Sequence, residues 1–150
     1  MGLKKIFNTN TYKNIFSQYL LEREFMRDNA VLVDMDEPMG DKISVLYAKY
    51  MHNSTVCKAF VATTDSRILI AVFDIYGKFY KCYAIPLESI NNLNIKKVFG
   101  GMQISFDGIS QYGRISVNMY AASRQFGTDL KEQKRHIDML VKHLSEINGN

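Results

Sequence analysis

The sequence predicts a mainly antiparallel β domain, an open barrel or sandwich of about seven strands, closed by a C-terminal amphipathic helix and preceded by an N-terminal one. Three observations lead there. Between residues 43 and 119, short β-type runs recur at about the 8–12-residue spacing of all-β folds. No helical insert of crossover length separates them, which excludes parallel βαβ units. Both flanks carry apolar residues at helical intervals.

The first helix is read from Tyr12, Ile15, Phe16, Tyr19 and Leu20, which fall at i, i+3, i+4, i+7 and i+8. Thr9, Asn10 and Thr11 carry oxygens that accept from first-turn amides, so the N-cap is placed among them. The helix is expected to end by Asn29, before Val31-Leu32-Val33, which makes residues 1–30 an N-terminal helical segment. Asp34, Asp36, Glu37 and Asp41 surround Pro38 and Gly40, so residues 31–42 read as an acidic linker, or a short strand and loop.

Strands are expected at 43–50, 56–63, 67–74, 79–85, 89–98, 102–106 and 114–119. Their breaks are His52-Asn53-Ser54, Thr64-Asp65-Ser66, Tyr76-Gly77-Lys78, Pro86, Gly100-Gly101 and the polar stretch 107–113. Pro86 cannot donate to a ladder, and paired glycines supply the positive φ of a tight hairpin. Ile68-Leu69-Ile70-Ala71-Val72-Phe73 is apolar throughout, so this strand is expected to be buried on both faces. Ile115, Val117 and Met119 alternate with Ser116 and Asn118, one face in and one out. The closing helix opens at Asp129 with Glu132 at capping-box spacing, and Leu130, Ile137, Leu140, Val141, Leu144 and Ile147 form its apolar face. Gly149 stops it.

Composition narrows the function. With 47% hydrophobic and 23% charged residues over 150 positions, disorder and collagen-like or disulfide scaffolds are excluded. The net charge of +4 comes from scattered cations, Lys4-Lys5, Lys96-Lys97 and Lys134-Arg135 being the densest pairs, so no specific nucleic-acid contact is expected. Cys57 and Cys82 lack metal spacing and are expected as free, buried thiols; a bridge between them requires their two strands to pair. No secretory leader follows Lys4-Lys5, no run of about 18 apolar residues occurs, and Ile6 breaks a myristoylation motif, so a cytoplasmic location is expected.

Catalytic patterns are missing from the sequence. His136 and His143 share a helix face seven residues apart, not the i, i+4 of a metal pair, and are expected at the surface together with His52. Asp34, Asp36 and Glu37 lack the spacing of a calcium loop. No nucleophile elbow, phosphate loop or dinucleotide fingerprint occurs. The expectation is no enzyme, no catalytic residue, no metal and no cofactor. The aromatic group Tyr76, Phe79, Tyr80 and Tyr83 is dense. Strict alternation points Phe79 and Tyr83 one way and Tyr80 the other, one set into the core and one outward. The candidate interface is Tyr76, Lys78, Tyr80 and Lys81, joined by Phe16 and Tyr19 of the first helix.

Three stretches and their order resemble the bacterial branch of pleckstrin-homology-like (PH-like) domains. They are Phe60-Val61-Ala62-Thr63-Thr64-Asp65-Ser66-Arg67-Ile68-Leu69-Ile70, then Lys78 through Pro86-Leu87-Glu88-Ser89-Ile90, then Asn94-Ile95-Lys96-Lys97-Val98-Phe99-Gly100-Gly101-Met102-Gln103-Ile104, with the closing helix after them. The likeness spans residues 43–148, places the PH-like domain at 43–150 and leaves the first helix outside it. It implies a non-catalytic binding or assembly module that docks on protein and forms homo-oligomers. Phosphoinositide binding is not carried over, because the loop Met51-His52-Asn53-Ser54-Thr55 is flanked only by Lys49 and Lys58, and the family's closing-helix Trp has no counterpart here. The alternative is a peripheral membrane module, in which Lys4, Lys5 and Lys13 lie beside Phe7, Ile15, Phe16 and Tyr19 on the first helix and make weak contact with anionic lipid.

Overall fold

The computed structural model describes residues 7–36, 56–74, 76–124, 130 and 132–148. The expected strand at 43–50, His52, Lys4, Lys5, Asp129 and Gly149 lie outside these residues. Helix α1 (Thr9–Ser17) is followed by strands β1 (Val31–Asp36), β2 (Val56–Thr63), β3 (Arg67–Phe73) and β4 (Phe79–Pro86). A 3-10 turn, Leu87–Ser89, leads to β5 (Asn91–Val98), β6 (Gly101–Ser110), β7 (Gly113–Ala122) and helix α2 (Gln133–Asn148).

All seven strands form one antiparallel sheet in the order β4-β3-β2-β1-β7-β6-β5. Two meanders, β1 to β4 and β5 to β7, therefore meet at β1 and β7. Among the described residues that junction is short, with Asp34↔Tyr120 and Met35↔Met119 paired across it. Of the two alternatives for residues 31–42, the described part is the short strand: Val31–Asp36 pairs with β2 along its whole length, from Val31↔Val61 to Asp36↔Val56. Val31, Val33 and Met35 face the core while Asp34 and Asp36 face outward, so the two acids mark the solvent side of a strand.

Other boundaries shift for local reasons. Asn8 caps α1, its side chain accepting from the Thr11 amide at 2.9 Å, and the helix ends at Ser17 instead of near Asn29. Arg23 sits at φ 64, and residues 18–30 run as irregular chain along the sheet. The polar stretch 107–113 is mostly strand: Ser110 pairs with Gly113 around a two-residue turn. Gly100 supplies the positive φ (79°) of the β5–β6 hairpin, as its sequence predicts.

The inner face of the curled sheet holds the main core, which α2 closes with Ile137, Leu140 and Leu144. The outer face of β2 to β4 is apolar as well. Leu32, Phe60, Leu69 and Phe73 point there, and the N-terminal segment covers them with Phe7, Tyr12, Ile15 and Phe16. Aromatic rings dominate this second layer: Phe7 lies edge-on to Phe73 at 5.1 Å and Tyr12 is tilted on Phe60 at 5.2 Å. β3 is thus buried on both faces, as its unbroken apolar run requires.

One buried ion pair pins the N-terminal segment in place. Glu24 receives Arg67 through a two-pronged contact, its second oxygen 2.9 Å from Nε, and both side chains are largely buried. The same carboxylate accepts from Thr64 Oγ1 and the Leu21 amide, and Arg67 also donates to the Tyr19 carbonyl at 2.7 Å. The Arg67 guanidinium holds the Glu24 carboxyl down to about 2. A depressed carboxyl stabilises the fold above its unfolded value of 4.5, and that contribution is lost as pH falls toward 2. Removing one partner leaves the other charge buried, so Glu24→Ala is expected to destabilise by about 3–5 kcal/mol. Urea denaturation at neutral pH measures this, and the gap between variant and parent should narrow as pH drops below about 4.

Candidate functional site

The polar groups of α2 sit where the sequence predicts a plain amphipathic helix. Gln133, His136 and His143 share the buried face with Ile137, Leu140 and Leu144. Gln133 stands between β1 and β7 where their ladder opens. Its Oε1 accepts from the Leu32 amide at 3.2 Å, and its Nε2 donates to the carbonyls of Leu32 at 2.8 Å and Ala122 at 3.1 Å.

Both helix histidines are buried, which corrects the expectation of surface rings. His136 donates from Nδ1 to the Ala30 carbonyl at 2.7 Å, and its Nε2 lies 3.2 Å from Asp28 and 3.3 Å from Arg135. His143 Nδ1 lies 2.7 Å from Thr63 Oγ1, whose oxygen also accepts from Asn29 Nδ2 at 2.6 Å. Asn29 closes the ring by accepting from the Thr63 amide at 3.0 Å. Burial, and then the charge of Arg27, push the His143 ring below its usual range. A neutral ring accepts the Thr63 hydroxyl at Nδ1. Spacing alone cannot reveal such partners, because they come from β2 and from the chain before β1.

Two further side chains with nucleophilic atoms are enclosed. Thr63 is fully buried, and burial pushes the Cys82 thiol up to about 12, well away from a thiolate at neutral pH. Cys57 and Cys82 are free; β3 separates their strands, and they face opposite sides of the sheet. Among the described residues no three His, Cys, Asp or Glu side chains gather as a metal site. A cleft of about 620 Å³ lies on the outer face of β5 to β7 and includes Asn92, Asp107, Arg114 and Ser116. Hydrogen bonds from Asn92 and Ser116 hold the exposed Asp107 carboxyl below its ordinary value.

The six residues of the expected interface separate into three environments. Phe16 is fully buried beneath the sheet's outer layer and cannot contribute to an exposed surface. Tyr19 is half-buried and stacks edge-on against Phe79 at 6.1 Å; with exposed Tyr76 and Lys78 it marks the β3–β4 hairpin. Tyr80 and Lys81 belong instead to the seam between β4 and the β6–β7 turn, where the Lys81 ammonium lies 4.3 Å from the Tyr112 ring centroid and 5.2 Å from that of Tyr83. An irregularity opposite Val72 and Phe73 breaks the strict alternation. Phe79 therefore packs on Phe73 in the outer layer, while Tyr80 and Tyr83 belong to the inner core.

Phe99, at the tip of the β5–β6 hairpin, escaped the sequence reading although it is wholly exposed. Its position immediately before Gly100-Gly101 was the available signal, since a residue in a two-residue turn has no sheet face to pack against.

No family model matches the chain, and no curated protein matches it in sequence. Among solved structures, the hSac2 domain from human phosphoinositide phosphatase Sac2 is similar in fold, with a TM-score of 0.56 over 94% of this chain and 80% of that one. The two are 10% identical, so the likeness is one of fold alone. Among the described residues, no helix is long and apolar enough to cross a membrane.

A histidine whose folded value is depressed stabilises the fold above its unfolded value of 6.5, and the contribution fades as pH falls below it. His143→Gln is expected to cost about 1–3 kcal/mol at neutral pH. Urea midpoints on either side of pH 6.5 check the sign: the parent should lose more stability on acidification than the variant.

Proposed function

We propose that the chain is a non-catalytic PH-like module that binds protein partners, a second copy of itself included. Two antiparallel meanders joined at a short junction, with a closing helix against the inner core, support the PH-like reading, as do the ordered sequence stretches that resemble that family. Its helix histidines are engaged in structural hydrogen bonds and its Cys82 thiol is held protonated, which favours binding over chemistry.

The observation that carries the reading is the β3–β4 hairpin. Tyr76 is 71% exposed and Phe79 37% exposed, yet the turn beneath them is fixed. Asp74 accepts the amides of Tyr76 and Lys78 on one carboxylate oxygen, at 2.9 and 3.0 Å, and its own amide donates to the Lys78 carbonyl at 2.8 Å. A turn whose backbone is already hydrogen-bonded needs little further ordering when a partner covers its aromatic side chains, and tyrosine is enriched in the cores of protein interfaces. The alternative membrane contact through the first helix requires Phe7, Ile15 and Phe16 at the surface, and all three are buried against the sheet.

Size-exclusion chromatography with light scattering, at low and high salt, tests the reading. The expected result is a discrete oligomer that persists in high salt, with association weakened about tenfold by Tyr76→Ser combined with Phe79→Ser. A monomer at every concentration overturns self-association.

A further inference from the structure

Phe99 is the most exposed large apolar side chain among the described residues, at 101% of its reference area. The hairpin beneath it is rigid. Tyr120 Oη donates to the Phe99 carbonyl at 3.1 Å, and the Ser123 amide donates to the Gly100 carbonyl at 2.8 Å. At Gly101 the hairpin approaches β7 so closely that a Cβ would fall 2.1 Å from the Ala121 oxygen. Phe99 is therefore held outward, uncovered by any other described residue.

Cations surround this tip. Lys96 and Lys97 lie on the β5 arm, and Arg124 follows Ala122, which pairs with Gly101. All three are exposed and none has an ion pair among the described residues. The strand registers put this tip at the opposite end of the strands from the β3–β4 turn, so it is a separate surface.

We propose that the β5–β6 hairpin tip is a membrane anchor, in which Phe99 enters the interfacial layer of an anionic bilayer while Lys96, Lys97 and Arg124 face its headgroups. A single convex ring needs a deep pocket on a protein partner, but a bilayer accepts it anywhere along its surface. Flexible cations without fixed acceptors suit a diffuse negative surface better than a patterned one. The inference does not rest on the protein-docking reading, whose residues are Tyr76 and Phe79.

Cosedimentation of the full chain with vesicles of phosphatidylcholine plus phosphatidylserine, against phosphatidylcholine alone, tests it. Pelleting is expected with the anionic vesicles at low salt. Affinity should fall about tenfold in Phe99→Ser and about fivefold for each of Lys96→Gln and Lys97→Gln, with circular dichroism confirming that each variant folds. The chain has no Trp, so Phe99→Trp introduces a single depth reporter whose emission should shift to the blue on anionic vesicles. Absence of pelleting, full binding by Phe99→Ser, or an unshifted Trp on bound protein overturns the anchor. A blue shift that grows with protein concentration without vesicles overturns it too, in favour of a protein contact.

Discussion

A sheet that curls without closing leaves backbone polar groups along its parted edges with no neighbouring strand to pair with, and this fold depends on how those groups are satisfied. Two glutamine side chains supply the answer. The β1–β7 ladder pairs Asp34 with Tyr120, and by the same register Leu32 faces Ala122 where the strands part. The Gln133 amide fills that gap and serves both polar groups of Leu32 and the Ala122 carbonyl. At the other opening, Gln111 from the β6–β7 turn donates to the Cys82 carbonyl and accepts from the Ala84 amide along the edge of β4. A primary amide carries the same donor and acceptor as a peptide group, so each glutamine acts as a fragment of strand.

The placement of α2 follows from the first of these bridges. With Gln133 wedged between the strands, the helix runs across the open side of the core and sets His136 and His143 against Ala30 and Thr63. A purely apolar helix face has no directional preference among nearby registers, whereas these hydrogen bonds specify one. The N-terminal segment is fixed by the same kind of device. Its rings bury broadly against Phe60 and Phe73, and the Glu24–Arg67 pair sets where the chain crosses the β2–β3 turn. Apolar area supplies the stabilisation in both layers, and a few buried polar contacts select the geometry.

Much of this was legible in the sequence, within definable limits. The unbroken apolar run of β3 demanded two covered faces, and the spacing of Tyr12, Ile15 and Phe16 offered an apolar helix face; that one covers the other is a long-range fact no local pattern encodes. β1 was left ambiguous by its own alternation, since Asp34 and Asp36 on the outer side, continuing into Glu37 and Pro38, suit an acidic linker as well as a short strand and loop. Phe79 and Tyr83 were placed on one face by a period of two that a local irregularity interrupts. Of the expected interface, Tyr76 and Lys78 lie exposed, while Phe16 is consumed by the second layer and Lys81 by the aromatic seam. Buried polar partners such as Thr63 for His143 join positions 80 residues apart, beyond any motif.

The two halves of the sheet differ in a way that sets the proposed contacts at the strand ends. β2 and β3 are covered on both faces, whereas among the described residues β5 to β7 have no layer over their outer face. That bare face is polar and internally bonded: Gln103 donates to Asn118, Asn118 to Asp36, and Asn92 and Ser116 both donate to Asp107. A partner settling on it gains little apolar contact and must match or break bonds already made. The hairpin ends offer the reverse, aromatic area exposed on turns that are already rigid, so ordering costs little and the buried area counts almost in full. The open ladder is satisfied by side-chain amides, and Tyr76, Phe79 and Phe99 are left as the exposed aromatic groups on which the two proposed contacts draw.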